Sequence, residues 1–184
     1  GKHTFDLNKI KSTIKELSFL TSGMKFYVNG ELFISKDGLR DMIKDRVTDP
    51  ITAPVYMMGE NDGFIVEVAF QFENRNTEKI FAFTNNIPNR EGGTHITGFK
   101  TAFTNSMNKL SKQYGLIEDN LNGDMMRRGI TLAVSVKMNK APVFQGQTKE
   151  KLMTAEARAA VSQVVNELFE KTVSKTDIKT IVER

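Results

Sequence analysis

Residues 130–138 read Ile-Thr-Leu-Ala-Val-Ser-Val-Lys-Met, and this stretch decides the fold class. Large apolar side chains alternate in it with smaller or polar ones from the first residue to the last. A period of two is the pattern of a β-strand, because successive side chains point to opposite faces of a sheet. The stretch therefore predicts a strand, and with it a domain that contains a β-sheet.

A second alternating stretch, residues 64–72, comes earlier in the chain. Turn residues at 74–77 lead from it to a further predicted strand over 78–84. Strands joined by a short turn usually pair, so the pattern predicts a β meander whose strands face water on one side. The Asn29-Gly30 pair, between the apolar runs 24–28 and 31–34, predicts a separate hairpin.

Apolar residues at helical spacing predict the helices that accompany these strands. The predicted helices cover about 6–20, 36–47, 95–114 and 154–172, with a helical turn at 124–127 and a last helix from Asp177. Asp6 and Thr176 are placed to cap the first and the last of them. The last helix reaches the final residue without a stop signal, so we expect the chain to be a segment of a longer protein.

The composition is that of one globular domain. The 184 residues are 39% hydrophobic and 26% charged, and no run approaches the roughly 20 apolar residues of a membrane span. No signal-peptide pattern precedes the first helix, so we expect a cytoplasmic protein. The absence of cysteine and the presence of only two histidines argue against a metal site. A net charge of +4 is compatible with a polyanionic partner.

The stretch Gln147-Thr148-Lys149 is the strongest candidate for a binding loop. It lies between the strand at 130–138 and the helix starting near Thr154, which predicts a loop on the rim of the sheet. An amide, a hydroxyl and an ammonium group stand side by side there, after a Gly146 that lets the backbone bend. These groups suit an anionic ligand.

A competing phosphate motif runs from Gly93 to Lys100 but departs from the pattern of a P-loop. Phe99 separates the second glycine from the lysine, which turns Lys100 by about 100° around a helix and away from the phosphate position. A glycine-rich helix start is the better interpretation. For His95, a capping or packing role is favoured over that of a general base, since no nucleophile is adjacent in sequence to use it.

Lys100 shares the polar face of the helix predicted at 95–114 with Thr104 and Ser111. Such a face is usually only solvated, although a lysine on it can contact phosphates without reading sequence. Nothing in the chain forms a complete catalytic centre, so the isolated chain is predicted to be inactive as an enzyme.

Several short motifs together resemble one family. They are Lys15-Glu-Leu-Ser-Phe-Leu20, Phe83-Thr-Asn-Asn-Ile-Pro88, Glu91-Gly-Gly-Thr-His95, Gly98-Phe-Lys-Thr-Ala102, Ser135-Val-Lys137 and Gln147-Thr-Lys-Glu-Lys-Leu152. In order and spacing they resemble the transducer domain of bacterial type IIA topoisomerases, the second half of the ATPase region of the B subunit. The motif at 83–88 is more similar to DNA gyrase than to topoisomerase IV.

The resemblance implies an α/β (α+β) fold like domain 2 of ribosomal protein S5, with a mostly antiparallel sheet backed by helices. It divides the chain into a transducer domain, 1–172, and the start of a connecting helix, 173–184, with the ATP-binding domain lying upstream and outside the chain. It implies that Gln147 and Lys149 contact the γ-phosphate of ATP and that Lys149 stabilises the transition state. Lys100 would line a cavity for DNA.

The implied cofactor is ATP with Mg²⁺, bound mainly by the upstream domain, and no metal site is predicted on this chain. The implied partners are DNA, a gyrase A-like subunit, the ATP-binding domain of the same polypeptide and a second copy, joined through the N-terminal domain. Met125, Arg128 and a lengthening at Lys140-Ala141 depart from the family pattern. Two alternatives stay open: the equivalent domain of a mismatch-repair ATPase, and a non-enzymatic S5-like domain that binds nucleic acid.

Overall fold

The strand predicted over residues 130–138 lies at the centre of the main sheet in the computed structural model, which describes residues 6–184. The helices are α1 (Leu7–Leu20), α2 (Leu39–Arg46), α3 (Thr94–Gln113), α4 (Gly123–Met126), α5 (Ala155–Thr172) and α6 (Lys175–Glu183). The strands are β1 (Phe26–Val28), β2 (Glu31–Phe33), β3 (Val55–Asn61), β4 (Phe64–Phe72), β5 (Lys79–Thr84), β6 (Ile87–Pro88), β7 (Ile130–Met138), β8 (Phe144–Gln145) and β9 (Lys151–Leu152).

The five-stranded sheet has the order β3-β4-β7-β5-β6. All neighbours are antiparallel except β5 and β7, which are parallel. The predicted fold class, an α/β domain with a mostly antiparallel sheet backed by helices, is therefore confirmed. Two small hairpins, β1–β2 and β8–β9, stand outside this sheet.

The predicted meander is wrong in one respect, because β4 and β5 do not pair and β7 lies between them. The connection after β4 only has to cross the width of one strand, a distance of about 10 Å between the outer neighbours. Arg75 holds this connection over the start of β7, since its guanidinium donates to the carbonyl of Ile130 at 3.2 Å and to Oγ1 of Thr131 at 2.6 Å. A short turn therefore does not make its flanking strands partners.

Strand β3 was not predicted. The Asp49-Pro50 and Ala53-Pro54 pairs before it are typical of an irregular passage. The strand begins directly after the second proline and pairs with β4 along its whole length. Asp62 and Gly63, with φ of 50° and 78°, form the turn between the two strands. An Asp-Gly pair is itself a hairpin signal, so the sequence carried the evidence for this strand.

Both faces of the sheet are covered around β7, so the expected water-facing side is wrong there. Helices α3 and α5 cover one face with an aromatic cluster of Phe70, Phe72, Phe99, Phe103 and Phe169. Helix α2 and the end of α1 cover the other face, where they pack against Ala69, Phe83 and Ala133. On the same face, Met58 on β3 and Ile65 on β4 are exposed as expected. Small side chains such as Ala133 leave room for a helix, so alternation with small residues did not mean exposure.

The helix predictions agree with the structure apart from their ends. Asp6 caps α1 as predicted, since its carboxylate accepts from the amide of Lys9 at 3.2 Å. The last helix is capped by Ser174 rather than by Thr176, because Ser174 accepts from the amide of Asp177 at 3.1 Å. Ser111 is buried rather than on a solvated face. No helix within residues 6–184 is long and apolar enough to cross a membrane.

Candidate functional site

The Gln147-Thr148-Lys149 stretch lies at the tip of the hairpin formed by β8 and β9. All three residues are exposed, as a binding loop requires. The backbone bends at Gly146, with φ of 74°, and again at Lys149, with φ of 59°. A left-handed conformation costs a non-glycine residue about 1 kcal/mol or more, so surrounding contacts must hold Lys149 in place. Its ammonium group forms no ion pair with any residue of the described range 6–184.

The base of this hairpin is joined to the segment that starts helix α3. The amide of Glu91 donates to the carbonyl of Glu150 at 2.8 Å, and the amide of Leu152 donates to the carbonyl of Gly92 at 3.0 Å. Gly93 has φ of 144°, and a Cβ atom there would overlap the backbone of Leu152. Only glycine allows this close contact, so the hairpin and the beginning of α3 form one packed unit.

Asn89 lies buried beneath the hairpin tip, with 2% of its surface exposed. Its Nδ2 donates to the carbonyl of Lys149 at 2.8 Å, and its Oδ1 accepts from the hydroxyl of Thr84 at 2.7 Å. Nε2 of His95 lies 3.2 Å from the same Oδ1. Sequence reasoning did not select Asn89. Its signal in the sequence is its place in the polar, glycine-containing stretch 85–95, whose turn-forming residues are typical of a loop.

His95 is fully buried in the first turn of α3. Burial lowers the pKa of its imidazole to about 4, so the ring is neutral near pH 7. Its contact with Asn89 and its lack of solvent access agree with the predicted packing role and not with that of a general base. The structure also excludes a P-loop, because residues 94–100 are helical and Gly98 lies inside α3.

Lys100 borders a shallow groove between α3 and α4, together with Thr104, Asn122 and Arg127. Its Nζ lies 3.7 Å from a carboxylate oxygen of Glu78. Glu78 also accepts from Nε of Arg127 at 3.1 Å, and Arg127 reaches Asp124 at 2.6 Å. Lys100 also borders a second groove with Gly93 and Lys151 at the base of the hairpin, but Lys149 does not line either groove.

The departures from the family pattern are accommodated locally. Met125 and Arg128 are exposed, on α4 and just after it. Lys140 forms an ion pair of 3.0 Å with Glu156, and its ammonium lies 5.8 Å from the ring centre of Phe64. Lys140, at the position of the predicted lengthening, therefore packs against the body of the domain.

Comparison with known proteins places the chain in a family. The family model described as DNA gyrase B matches residues 38–184. The chain belongs to the DNA gyrase B family. The gyrase B protein of Clostridium acetobutylicum is 36% identical over 176 residues, which cover 89% of this chain and 28% of that protein. The predicted resemblance, and its inclination toward gyrase B, are thereby confirmed.

Solved gyrase B structures locate the chain within the ATPase region. It is similar to the 43K ATPase domain of Thermus thermophilus gyrase B, solved in complex with an aminocoumarin, with a TM-score of 0.85 and 32% identity over 100% of this chain and 53% of that one. The ATPase region of Saccharomyces cerevisiae topoisomerase II has the same fold, with a TM-score of 0.68, 18% identity and coverage of 100% and 46%. The chain thus spans about half of a gyrase B ATPase domain and a smaller share of a whole gyrase B protein.

Proposed function

We propose that this chain is the transducer domain of an ATP-hydrolysing type IIA topoisomerase, in which it couples ATP binding and hydrolysis to DNA gate motion and strand passage. One observation supports the proposal most directly. The exposed hairpin tip with Gln147 and Lys149 is joined at its base to residues 91–93, directly before α3, the helix that carries Lys100. Lys100 lies about 9 Å along the helix from its first residue. A change at the tip can therefore be passed to the groove.

Gln147, Thr148 and Lys149 fit a phosphate group chemically. The ammonium of Lys149, which has no ion-pair partner within residues 6–184, is a compact charge that can offset negative charge on a phosphoryl group. The amide of Gln147 can donate a directed hydrogen bond. ATP supplies the transferable γ-phosphoryl group, with Mg²⁺ bound mainly by the preceding domain. Within residues 6–184 no cluster of three or more His, Cys, Asp or Glu side chains could hold a metal ion.

The contact between Lys149 and the γ-phosphate exists before hydrolysis and is lost after phosphate leaves. A ligand shifts a conformational equilibrium only through contacts that differ between its two states, and this contact meets that condition. Helix α3 passes the shift on because it is packed tightly against α5. A Cβ atom at Gly98 would overlap the carbonyl of Arg158, so the two helices touch backbone to backbone.

The remaining assignments follow from this role. The full-length protein would act on DNA in the cytoplasm with a gyrase A-like subunit, as a homodimer joined through the preceding domain, and the isolated chain would not hydrolyse ATP. Residues 1–172 would form the transducer and 173–184 the start of a connecting helix. Helix α6 buries Ile178 and Ile181 in the main core, so the connection would leave from a firmly packed base.

The test of this proposal is Lys149→Ala in the full-length protein. Loss of a donor to the transferring phosphoryl group is expected to reduce ATP turnover by about 100-fold or more. The matched control is Lys179→Ala, which removes an exposed lysine on α6. ATP turnover of the two variants is compared in a coupled assay. Turnover within twofold of the parent for Lys149→Ala would refute the assigned role.

A further inference from the structure

The amide side chain of Asn89 connects the buried part of the domain to the backbone of Lys149. It lies just after β6, beneath the hairpin tip, and its own amide donates to the carbonyl of Ala82 at 2.8 Å. Asn89 is therefore fixed to the main sheet through its backbone. Its side chain spans the gap to the carbonyl of Lys149, 60 residues further along the chain.

Two neighbours determine which way this side chain points. Oδ1 accepts from the hydroxyl of Thr84, which is fully buried on β5, and lies against Nε2 of His95. A carboxamide oxygen can only accept, so Nε2 of His95 carries the proton and the ring is the donor. With Oδ1 engaged on that side, Nδ2 is directed at Lys149.

A hydrogen bond to the carbonyl of Lys149 can affect the direction of the Lys149 side chain. Lys149 has a left-handed backbone, and the direction of its side chain follows from that conformation. In the neighbouring bonds of the hairpin, the amide of Glu91 donates to Glu150 and the carbonyl of Gly92 accepts from Leu152, so the bond from Asn89 reaches closest to the tip. Gln147 and Thr148 have no side-chain hydrogen bond among the described residues that could replace it.

We propose that Asn89 is the positioning residue for Lys149, and that Thr84 and His95 orient its amide. The proposal rests on the proposed function, because it assigns a purpose to the position of Lys149. Asn89 does not touch the nucleotide. It acts through the lysine backbone, and so it sets how well the ammonium meets the phosphoryl group in the transition state.

The decisive variant is Asn89→Asp in the full-length protein. Aspartate has the same size and keeps the acceptor for Thr84 and His95, but it places an oxygen where Nδ2 donated to Lys149. We expect the kcat for ATP to fall about tenfold with the KM for ATP changed less than threefold, because the loss falls mainly on the transition state. Asn120→Asp, at an exposed loop residue, is the control for the added charge.

A double variant separates a positioning role from a general structural one. If Asn89 acts only through Lys149, then Asn89→Asp in a Lys149→Ala background reduces the residual turnover less than twofold further. A tenfold further loss in that background would show that Asn89 acts by another route and would overturn the proposal.

Limited trypsin digestion of the full-length protein gives a readout that does not depend on ATP hydrolysis. Trypsin cleaves the peptide bond after Lys149, whose carbonyl Asn89 holds. We expect Asn89→Asp to raise the cleavage rate at this bond at least fivefold, with cleavage at the exposed Lys109 and Lys179 unchanged. Unchanged cleavage at Lys149, together with unchanged kcat, overturns the proposal.

The two readouts also separate this proposal from the proposed function. If Lys149→Ala retains full turnover while Asn89→Asp accelerates cleavage after Lys149, the role of Lys149 in hydrolysis fails and the positioning of its backbone stands.

If Asn89→Asp does not fold, Thr84→Val takes its place, since valine fills the same buried space and lacks only the hydroxyl donor. A threefold lower kcat with faster cleavage supports the proposal, and parental values for both overturn it.

Discussion

Lys149 and Lys100 are two lysines proposed to meet phosphate groups, and their surroundings differ in almost every respect. Lys149 is exposed at a hairpin tip, has a left-handed backbone and pairs with no carboxylate within residues 6–184. Lys100 lies on a 20-residue helix and faces Glu78 at 3.7 Å. The first lysine has a constrained backbone and an unpaired charge, whereas the second has a regular backbone and a paired charge.

The difference indicates two kinds of anion contact. An anion that binds Lys149 displaces only water, and the left-handed backbone fixes the direction in which this side chain leaves the hairpin. An anion that approaches Lys100 competes with Glu78, and such exposed ion pairs are weak and screened by salt. We therefore expect a specific, directed contact at the hairpin tip and a diffuse contact in the groove.

The junction between the two regions is Gly93, and its substitution has the largest expected effect. In Gly93→Ala the new methyl group meets the backbone of Leu152, and φ of 144° is unfavourable for alanine. We expect a loss of about 3 kcal/mol in the free energy of unfolding. The control is Gly115→Ala at the other end of α3, where φ is 72° and the space is open, with an expected loss of about 1 kcal/mol. Urea unfolding followed by circular dichroism measures both, and equal losses would contradict the tight junction.

The pH dependence of folding stability tests the buried residues beneath Lys149, which include His95. Among the described residues no equivalent histidine supports Lys100. His95 has a pKa of about 4 when folded, against about 6.5 when unfolded. Above pH 6.5 both states are neutral. Between pH 6.5 and 4 only the unfolded state gains the proton, so folding stability falls as pH falls, by about 3 kcal/mol in total.

The measurement compares urea unfolding of the parent chain and of His95→Phe at pH 7 and pH 4. Other groups also titrate in this range, so only the difference between the two chains reports on His95. We expect the parent to lose about 3 kcal/mol more than the variant. Equal losses would mean that the imidazole is protonated in the folded state.

The elements of this fold were predictable where local pattern decides them, as at β7 and the capped start of α1. The pairing of the strands was less predictable. The 74–77 turn does not determine which strands lie beside β5, because that order depends on how the helices cover both faces of the sheet. The covering itself depends on α2, whose contact with Ala133 no local pattern records. The alternation of side-chain types predicted β7 as a strand, but it did not show that small residues such as Ala133 are buried and not exposed.

The residues of the candidate site were also predictable only in part. Gln147 and Lys149 were predicted from residue type and position, and the structure places both at an exposed hairpin tip. Their contact with an anion stays a prediction. Asn89 was not found, because its importance comes from a hydrogen bond to a residue 60 positions away. The partner of Lys100 was not found either, since Glu78 reaches it only through the fold.

The same conservative substitution at both lysines sharpens the comparison. Arginine keeps the charge but replaces a compact ammonium with a planar fork of a different length. We expect Lys149→Arg to reduce ATP turnover of the full-length protein about tenfold, because a directed contact is sensitive to geometry. Lys100→Arg is expected to change DNA-stimulated turnover less than twofold. Equal tolerance of arginine at both positions would remove the distinction between directed and diffuse contacts.

Removal of the charge at Lys100 has the smallest expected effect. In the full-length protein, Lys100→Ala should weaken the stimulation of ATP turnover by DNA a few-fold and leave turnover without DNA within twofold, because the groove is separate from the hairpin tip. One phosphate contact fewer lowers the slope of log affinity against log salt by about 0.9, which DNA titrations at several salt concentrations can resolve. Lys109→Ala, at an exposed position further along α3, is the control. An unchanged slope for Lys100→Ala would show that Lys100 remains with Glu78 and does not contact DNA.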